Sequence, residues 1–528
     1  RPGLLVLLSA SGAMLPVVCV NVATLLLARG AARERELATR AALGAGRRRL
    51  VRQLLVENVT VAIIAGVVGT LLASTLLRVI VAFLPPDLPR VGEIAVDMRV
   101  ALFAVGLSLV TGVAFGLLPA LRVTRSGHGS LVRSAARGTL AGTHEGRLTR
   151  ALAAAEFALA LVLVVAATLL ARSFWNLVTS DLGFNTQQLV AATVAPPGFP
   201  DAAPALKHQF AARLLEQLEV TQGVEAAAVA SSLPFDTGLF ATNFAVENPP
   251  VTTPASNFSQ AYLGVSANYF RTMGTSIIAG RAFTAADRAD RPRVVIVSER
   301  LARLNWGDES PIGRRLRFRS DPRQPVYEGE QYPWFTVVGV AEDVAVRNVA
   351  NGKAETLYLP IEQFWDFVAL RAVVRTAAEP GAIAPRIRPI VASIDPLAPV
   401  SDVRTFEARV GDNVARPRFT AYLLGTFAGI AIFLAAIGVY GVLAYSMSRR
   451  TAEIGVRVAF GASAGDVFGM LFRQGLGVIA VGIAAGLPLA FGAAQLLSGL
   501  LYGVEPSSAA VLGGGALALA LVGLAASF

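Results

Sequence analysis

The sequence predicts an α-helical polytopic membrane protein with an extracytoplasmic α+β domain built from split βαβ lobes. Three observations predict it. The 528-residue chain is 54% hydrophobic and only 16% charged, with a mean hydropathy of +0.57, too apolar for an ordinary soluble protein. Seven apolar runs are long enough to cross about 30 Å of hydrocarbon, which takes roughly 20 residues each. Between the fourth and fifth runs lies a stretch of ordinary polar content, residues 175–418, holding most of the tryptophans and tyrosines.

The runs are Leu4–Ala28, Leu55–Leu84, Val100–Leu121, Ala151–Phe174, Ala421–Met447, Leu471–Leu500 and Ser508–Phe528. Arginine placement orients them, because connections rich in Lys and Arg stay on the cytoplasmic side. Residues 29–54 hold Arg29, Arg33, Arg35, Arg40, Arg47, Arg48, Arg49 and Arg52. Residues 122–150 hold Arg122, Arg125, Arg133, Arg137, Arg147 and Arg150, and residues 448–470 hold Arg449, Arg450 and Arg457. Pro85–Arg99 carries two arginines against Asp87, Glu93 and Asp97, and Tyr502–Ser507 carries only Glu505. The first three connections are expected inside, and the last two outside together with the long polar stretch. The net charge of +11 thus reads as topology, and a nucleic-acid partner is not expected.

Within the outer stretch, Leu189–Ala195, Val224–Ser231, Arg293–Val297, Trp334–Val340, Ala369–Arg375 and Val400–Val403 read as strands. Ala205–Thr221, Leu301–Trp306 (after a Ser298 cap) and Gly381–Ile394 read as helices. Pro196–Pro200, Phe235–Pro254 and Asp321–Tyr332 read as loops. The alternation β-α-β, β-α-β predicts two small lobes of split βαβ units.

Residues 33–73 and 450–490 repeat one another at an offset of 417 without a gap. Arg33, Glu36, Arg40, Ala42, Gly44, Ala45, Leu54, Val61, Gly69, Leu72 and Ala73 meet Arg450, Glu453, Arg457, Ala459, Gly461, Ala462, Leu471, Val478, Gly486, Leu489 and Ala490. Four crossings separate the two loops, so both face the same side and the repeat is parallel. Copy two has a span, an outer domain and three more spans; copy one shows three spans. The missing partner span and outer domain are expected before Arg1, and the apolar end at Phe528 is likewise expected to be a cut within a longer protein.

The repeated loop is the one candidate site. Glu36 with Arg40, and Glu453 with Arg457, stand at i,i+4, where they pair on a helix for about 0.2–0.5 kcal/mol. Gly44 and Gly461 then break the helix. A short cytoplasmic helix ending in a break suits docking onto a partner. Ala65 with Gly69, and Gly482 with Gly486, form small-xxx-small pairs that allow close helix packing. Glu57, Arg78 and Glu156 fall within apolar runs, and their side chains are expected to snorkel to the nearer interface. Asp287, Asp290, Asp308 and Glu309 are expected at the solvated surface.

No catalytic, metal or cofactor site is expected. A phosphate-binding loop needs glycines ending in Lys then Ser or Thr, yet the two lysines are followed by His208 and Ala354. The single cysteine, Cys19, excludes an internal disulfide, and His128, His144 and His208 are scattered. No chain of mid-membrane carboxylates points to a proton pump.

At these residues the chain resembles a known family. Glu-Ile-Gly-Val-Arg-Val-Ala-Phe-Gly-Ala (Glu453–Ala462), in an inner loop after a span that follows a large outer domain, resembles the FtsX-like/MacB-type ABC transporter permease signature. Leu148–Asn185, Tyr269–Arg281 and Val297–Trp306 resemble the start and the motifs of the MacB-type periplasmic core domain. Two modules without an ATPase resemble a duplicated-module, orphan permease of the acidobacterial kind. The resemblance implies residues 1–125 as a first permease module, 126–150 as a cytoplasmic linker and 151–174 as a transmembrane helix. It implies 175–418 as the periplasmic core domain and 419–528 as a second module. It further implies a multi-pass protein of the bacterial inner membrane and a separate cytoplasmic ABC ATPase docking at Glu36, Arg40, Gly44, Glu453, Arg457 and Gly461. ATPase motion would be relayed to the periplasmic domain for efflux or export, with a periplasmic adaptor or outer-membrane factor as a further partner. The alternative is a non-transporting regulator of a periplasmic cell-wall enzyme. Copy one departs from the signature, with Ala38 and Thr39 where copy two has Gly455 and Val456, which puts equal use of the two loops in question.

Overall fold

The computed structural model describes residues 2–32, 36, 39–40, 46–82, 95–125, 142–236, 241–247, 260–318, 333–363, 368–377, 379–460 and 462–526. Contact density divides the chain into two units, Arg1–Asn176 with Arg416–Phe528, and Leu177–Ala415.

In the first unit all seven apolar runs form helices: α1 (Pro2–Ala32), α2 (Arg47–Ala82), α3 (Met98–Arg125), α4 (Gly142–Val178), and, after the polar stretch, α9 (Phe406–Ala459), α10 (Ala464–Leu497) and α11 (Ala509–Ala525). Five contain stretches long and apolar enough to span a membrane; Met98–Val113 and Ala509–Ala525 are shorter apolar segments. α11 has 17 residues, about 25 Å at 1.5 Å per residue.

The helices are not equivalent in packing. The apolar stretch of α4 is 72% buried and that of α2 only 11%. α4 is the hub: Phe157, Leu161, Val165 and Leu169 pack with Leu424, Ala431 and Val439 of α9, Ile479 and Ala490 of α10, and Val511 and Leu519 of α11. α2 instead packs on α3, where Gly112 lies so near Ala62 that a Cβ would come within 2.9 Å. The outward side chains of α2, such as Ile64, Leu72 and Leu76, are exposed apolar groups, as a lipid-facing surface requires.

The second unit is an α+β domain. Its elements are β1 (Leu189–Val194), α5 (Pro204–Glu219), β2 (Val224–Ala230), β3 (Ala241–Thr242), β4 (Phe244–Val246), β5 (Gln260–Val265), α6 (Tyr269–Met273) and β6 (Ile277–Gly280). They continue with β7 (Val294–Ser298), α7 (Glu299–Trp306), β8 (Arg315–Phe318), β9 (Phe335–Ala341), β10 (Thr356–Pro360), β11 (Leu370–Thr376), α8 (Ala384–Ile394) and β12 (Val400–Thr405). Along the sheet the order is β12-β1-β11-β2-β5-β10-β7-β9-β8-β4, with β3 on β5 and β6 on β9.

The first four strands in that order are two split βαβ units: β1-α5-β2 and β11-α8-β12 interleave, each strand antiparallel to its neighbour. α5 turns Ala211, Leu214 and Leu218 onto this sheet, the spacing of one helical face. The other half differs. β7 and β9 pair directly and in parallel, joined through α7 and β8, so no strand is inserted between them. Ser298 caps α7 by accepting from the Leu301 N–H at 3.4 Å. Within the stretch expected as loop, β3 and β4 are strands, and Phe244 is buried opposite Phe318. Strands of two and three residues are too short to show a period of two. Asp321–Tyr332 lies outside the described residues.

Candidate coupling sites

The repeated loops present the same contact twice. In copy one Arg40 pairs with Glu36 and donates to the Gln53 side chain at 3.2 Å. In copy two Arg457 reaches the Met470 sulfur at 4.0 Å. Gln53 and Met470 are the same position of the repeat, 417 apart. The arginine thus lies back on the first turns of the following helix in both copies. The Glu36–Arg40 pair is exposed and is worth only a few tenths of a kcal/mol. The Glu453 side chain, Gly44 and Gly461 lie outside the described residues.

Copy two departs from the expected short helix. Glu453 and Arg457 ride the last turns of α9, a single helix of 54 residues. Its end is closed by the Ala462 N–H donating to the Arg457 carbonyl at 2.9 Å, the wrapping bond of a Schellman turn. Val456 and Phe460 stand one turn apart here, 56% and 88% exposed. The sequence places both in the inner connection, within the Glu453–Ala462 segment, but does not show which of its apolar residues the fold leaves exposed.

The small-residue pairs have opposite surroundings. Gly482 and Gly486 press on α4: a Cβ would meet Phe157 Cβ at 2.5 Å and the Ala154 carbonyl at 2.9 Å in the first case, and Ala158 Cα at 2.9 Å in the second. Ala65 and Gly69 are exposed, and nothing lies within 4 Å of a Cβ at Gly69. The packed face of α2 is instead Ala62 and Gly66, the latter 3.3 Å from Val105 for a built Cβ.

Glu156 does not snorkel. It is 1% exposed, on the side of α4 that meets α1 and α9. Asn21 of α1 donates to its Oε1 and, at 2.9 Å, to the Leu434 carbonyl of α9. The other carboxyl oxygen occupies the space that a Cβ at Gly438 would take. Three helices therefore meet at one polar point. Arg78 is exposed and keeps to its own helix, its Nε 3.4 Å from the Ser74 carbonyl.

In the outer unit, residues far apart in sequence gather around Asp236. It accepts from Arg371 Nε at 2.8 Å, from Arg409, from the Leu233 N–H at 3.1 Å and from Ser232 Oγ at 3.3 Å. Arg409 stands on the first turn of α9, its side chain 3% exposed, and also donates to Asp402 at 2.6 Å. Asp402 has φ +53°, in the left-handed region that non-glycine residues rarely occupy. Phe406 is wholly buried one turn before Arg409 and meets Phe184 edge-on at 5.3 Å. The first turn of α9 is thus clamped to β11 and to the loop before β3.

The motif segments meet as well. The Asn185 N–H donates to the Met273 carbonyl at 3.0 Å, and Thr275 Oγ1 to the Gly183 carbonyl at 3.3 Å. Arg375 of β11 donates to the carbonyls of Thr272, Asn185 and Gln187. Gly280 has φ +73° and lies on the Val338 carbonyl, with no room for a side chain. Asp287 is not a surface acid: it is buried, bridged by both Arg281 nitrogens at 2.8 Å, and that guanidinium holds its carboxyl below the usual range. Asp290, Asp308 and Glu309 are exposed. Among the described residues no group of His, Cys, Asp and Glu could hold a metal ion.

Comparison with known proteins covers both units. Residues 151–390 match the MacB-like periplasmic core domain, and residues 8–127 and 425–528 match the FtsX-like permease C-terminal family. An uncharacterized ABC transporter permease, YknZ, of Bacillus subtilis is 23% identical over 270 residues, 49% of this chain and 64% of that protein. The macrolide export ATP-binding/permease protein MacB of Marinobacter nauticus is 24% identical over 230 residues, 42% of this chain and 34% of that protein. The chain therefore spans less than two thirds of these curated relatives. The crystal structure of the periplasmic region of MacB from Actinobacillus actinomycetemcomitans aligns with 44% of this chain and 95% of its own, at 15% identity and a TM-score of 0.30.

Proposed function

Because the chain belongs to the FtsX-like, MacB-type family of ABC transporter permeases, a multi-pass inner-membrane protein with a periplasmic domain, we propose that it is the permease subunit of a two-module system driven by a separate cytoplasmic ATPase. In this reading the ATPase seats on the ends of the repeated loops, and its motion travels along α9 and α4 to the periplasmic domain, where it serves efflux or export. A periplasmic adaptor or outer-membrane factor would complete an export path.

The observation that carries the reading is the end of α9. Val456 and Phe460 are exposed apolar groups flanked by Arg457, and an exposed apolar pair with a charged border marks a protein contact better than a solvated helix end. The repeated arginine contact, Arg40 on Gln53 and Arg457 on Met470, supports a shared role for both copies. At the far end of α9, the Arg409–Asp236 clamp offers the grip through which a helix displacement would reach β11.

Charge exchange tests the docking. Glu453→Lys with Arg457→Glu is expected to weaken co-purification of the ATPase from native membranes, each reversal costing on the order of 1–3 kcal/mol. Glu36→Lys with Arg40→Glu is expected to weaken it too. The exchange preserves an attractive i,i+4 pair, so helix loss is not the expected cause. Unchanged co-purification in both variants would leave the loops as mere connectors.

A further inference from the structure

The first two turns of α2 differ from their repeat partners most sharply in charge. Positions 47–52 read Arg-Arg-Arg-Leu-Val-Arg, and the equivalent positions 464–469 read Ala-Gly-Asp-Val-Phe-Gly. A role shared by both loops does not need this basic segment, so copy one carries it for something else. From its position and lining we infer that Arg48 and Arg52, with Val51 and Leu55, form a binding site for the headgroup of an anionic phospholipid on the cytoplasmic leaflet.

Depth is the first argument. α2 has 36 residues, about 54 Å at 1.5 Å per residue, whereas the hydrocarbon core is about 30 Å and the bilayer with its headgroups about 40–45 Å. The helix is too long for the apolar core, and its arginine end must run through the headgroup layer. Arg48 and Arg52 then lie at phosphate depth, one turn apart on one face. On the same face Val51 lies between the two arginines, and Leu55 lies about one turn deeper, toward the acyl boundary.

Lining is the second argument. These four residues border an open groove of about 440 Å³. Arg48 and Arg52 are exposed, and Val51 and Leu55 half-buried. Among the described residues neither arginine has a carboxylate partner. Cations above an apolar floor match a phosphodiester above its acyl chains. The guanidinium fork suits phosphate oxygens, which accept two parallel N–H bonds. An acidic protein surface would satisfy the arginines but not the apolar floor facing the bilayer.

Native mass spectrometry of the full chain released from nanodiscs tests this, with phosphatidylglycerol against phosphatidylcholine. The parent is expected to retain phosphatidylglycerol selectively. Arg48→Gln with Arg52→Gln is expected to weaken retention about thirtyfold, each arginine near the surface counting for a factor of about five. Arg147→Gln with Arg150→Gln removes the same charge elsewhere on the arginine-rich side and is expected to change retention little. Gly465→Arg with Gly469→Arg transplants the site to copy two. A Cβ at Gly469 meets nothing within 4 Å, and one at Gly465 only Ser463 Oγ at 3.5 Å, so the side chains have room. A second retained phosphatidylglycerol is expected. Equal losses in the two glutamine doubles would overturn the site in favour of diffuse charge. So would full retention by Arg48→Gln/Arg52→Gln with loss of a bound ATPase instead. A double that fails to fold is identified by its phosphatidylcholine stoichiometry and melting curve, and the transplant then decides alone. Neither result depends on the ATPase reading.

Discussion

Replacing Asp236 with alanine is expected to destabilise the periplasmic domain by about 3–5 kcal/mol, the usual cost of removing one partner from a buried ion pair. The side chains of Asp236 and Arg409 are 8% and 3% exposed, so little solvent is available to replace the lost carboxylate. Arg371 and Arg409 would be left facing one another across the vacated position. Asp236→Asn keeps the shape and part of the hydrogen bonding and is expected to fall between alanine and the parent. Asp236→Ala with Arg371→Met is expected to recover part of the loss, because it removes the charge whose carboxylate is gone, while Arg409 keeps Asp402. Denaturation of the full chain followed by tryptophan fluorescence measures all three. An Asp236→Ala chain as stable as the parent would mean that the clamp contributes nothing.

Two glycines at one position of the repeat are expected to answer differently to the same change. Gly486→Val drives a branched side chain into Ala158 and Leu161 of α4, where a single Cβ already comes within 2.9–3.1 Å. Overpacking of that kind costs about 1–3 kcal/mol and more where backbone must move, and it falls on the hub of the bundle. Gly69→Val meets open space and is expected to be nearly neutral, as substitutions away from packed features are. Detergent melting curves of the two variants give the comparison. Equal destabilisation would show that the two copies pack their small residues alike.

The spans were legible because their signals are local: long apolar runs and arginine-rich connections. The strands around Leu189, Val224, Val294 and Phe335 were legible for the same reason. Three kinds of feature were not. Asp236 finds its arginines 135 and 173 positions away, and nothing in the neighbourhood of any of them marks the pairing. Glu156 shows in sequence how far it lies along a helix, but not that Asn21 and the α9 backbone cover it. Small-xxx-small spacing marks faces that can pack without saying which do, so Gly486 is occupied while Gly69 is open and Gly66, one position from the pair's first member, does the packing on α2. Asp287 was misread because the bridging Arg281 comes from a strand end whose direction only the fold sets.

The central claim is that a separate ATPase drives this permease through the end of α9. Phe460 is the place to ask, being 88% exposed beside Arg457. A photo-crosslinking amino acid installed there, in native membranes, is expected to capture a polypeptide that carries a phosphate-binding loop, and to lose it when Glu453→Lys and Arg457→Glu are added. Crosslinks to lipid alone, or an ATPase adduct that survives the charge exchange, would contradict the account.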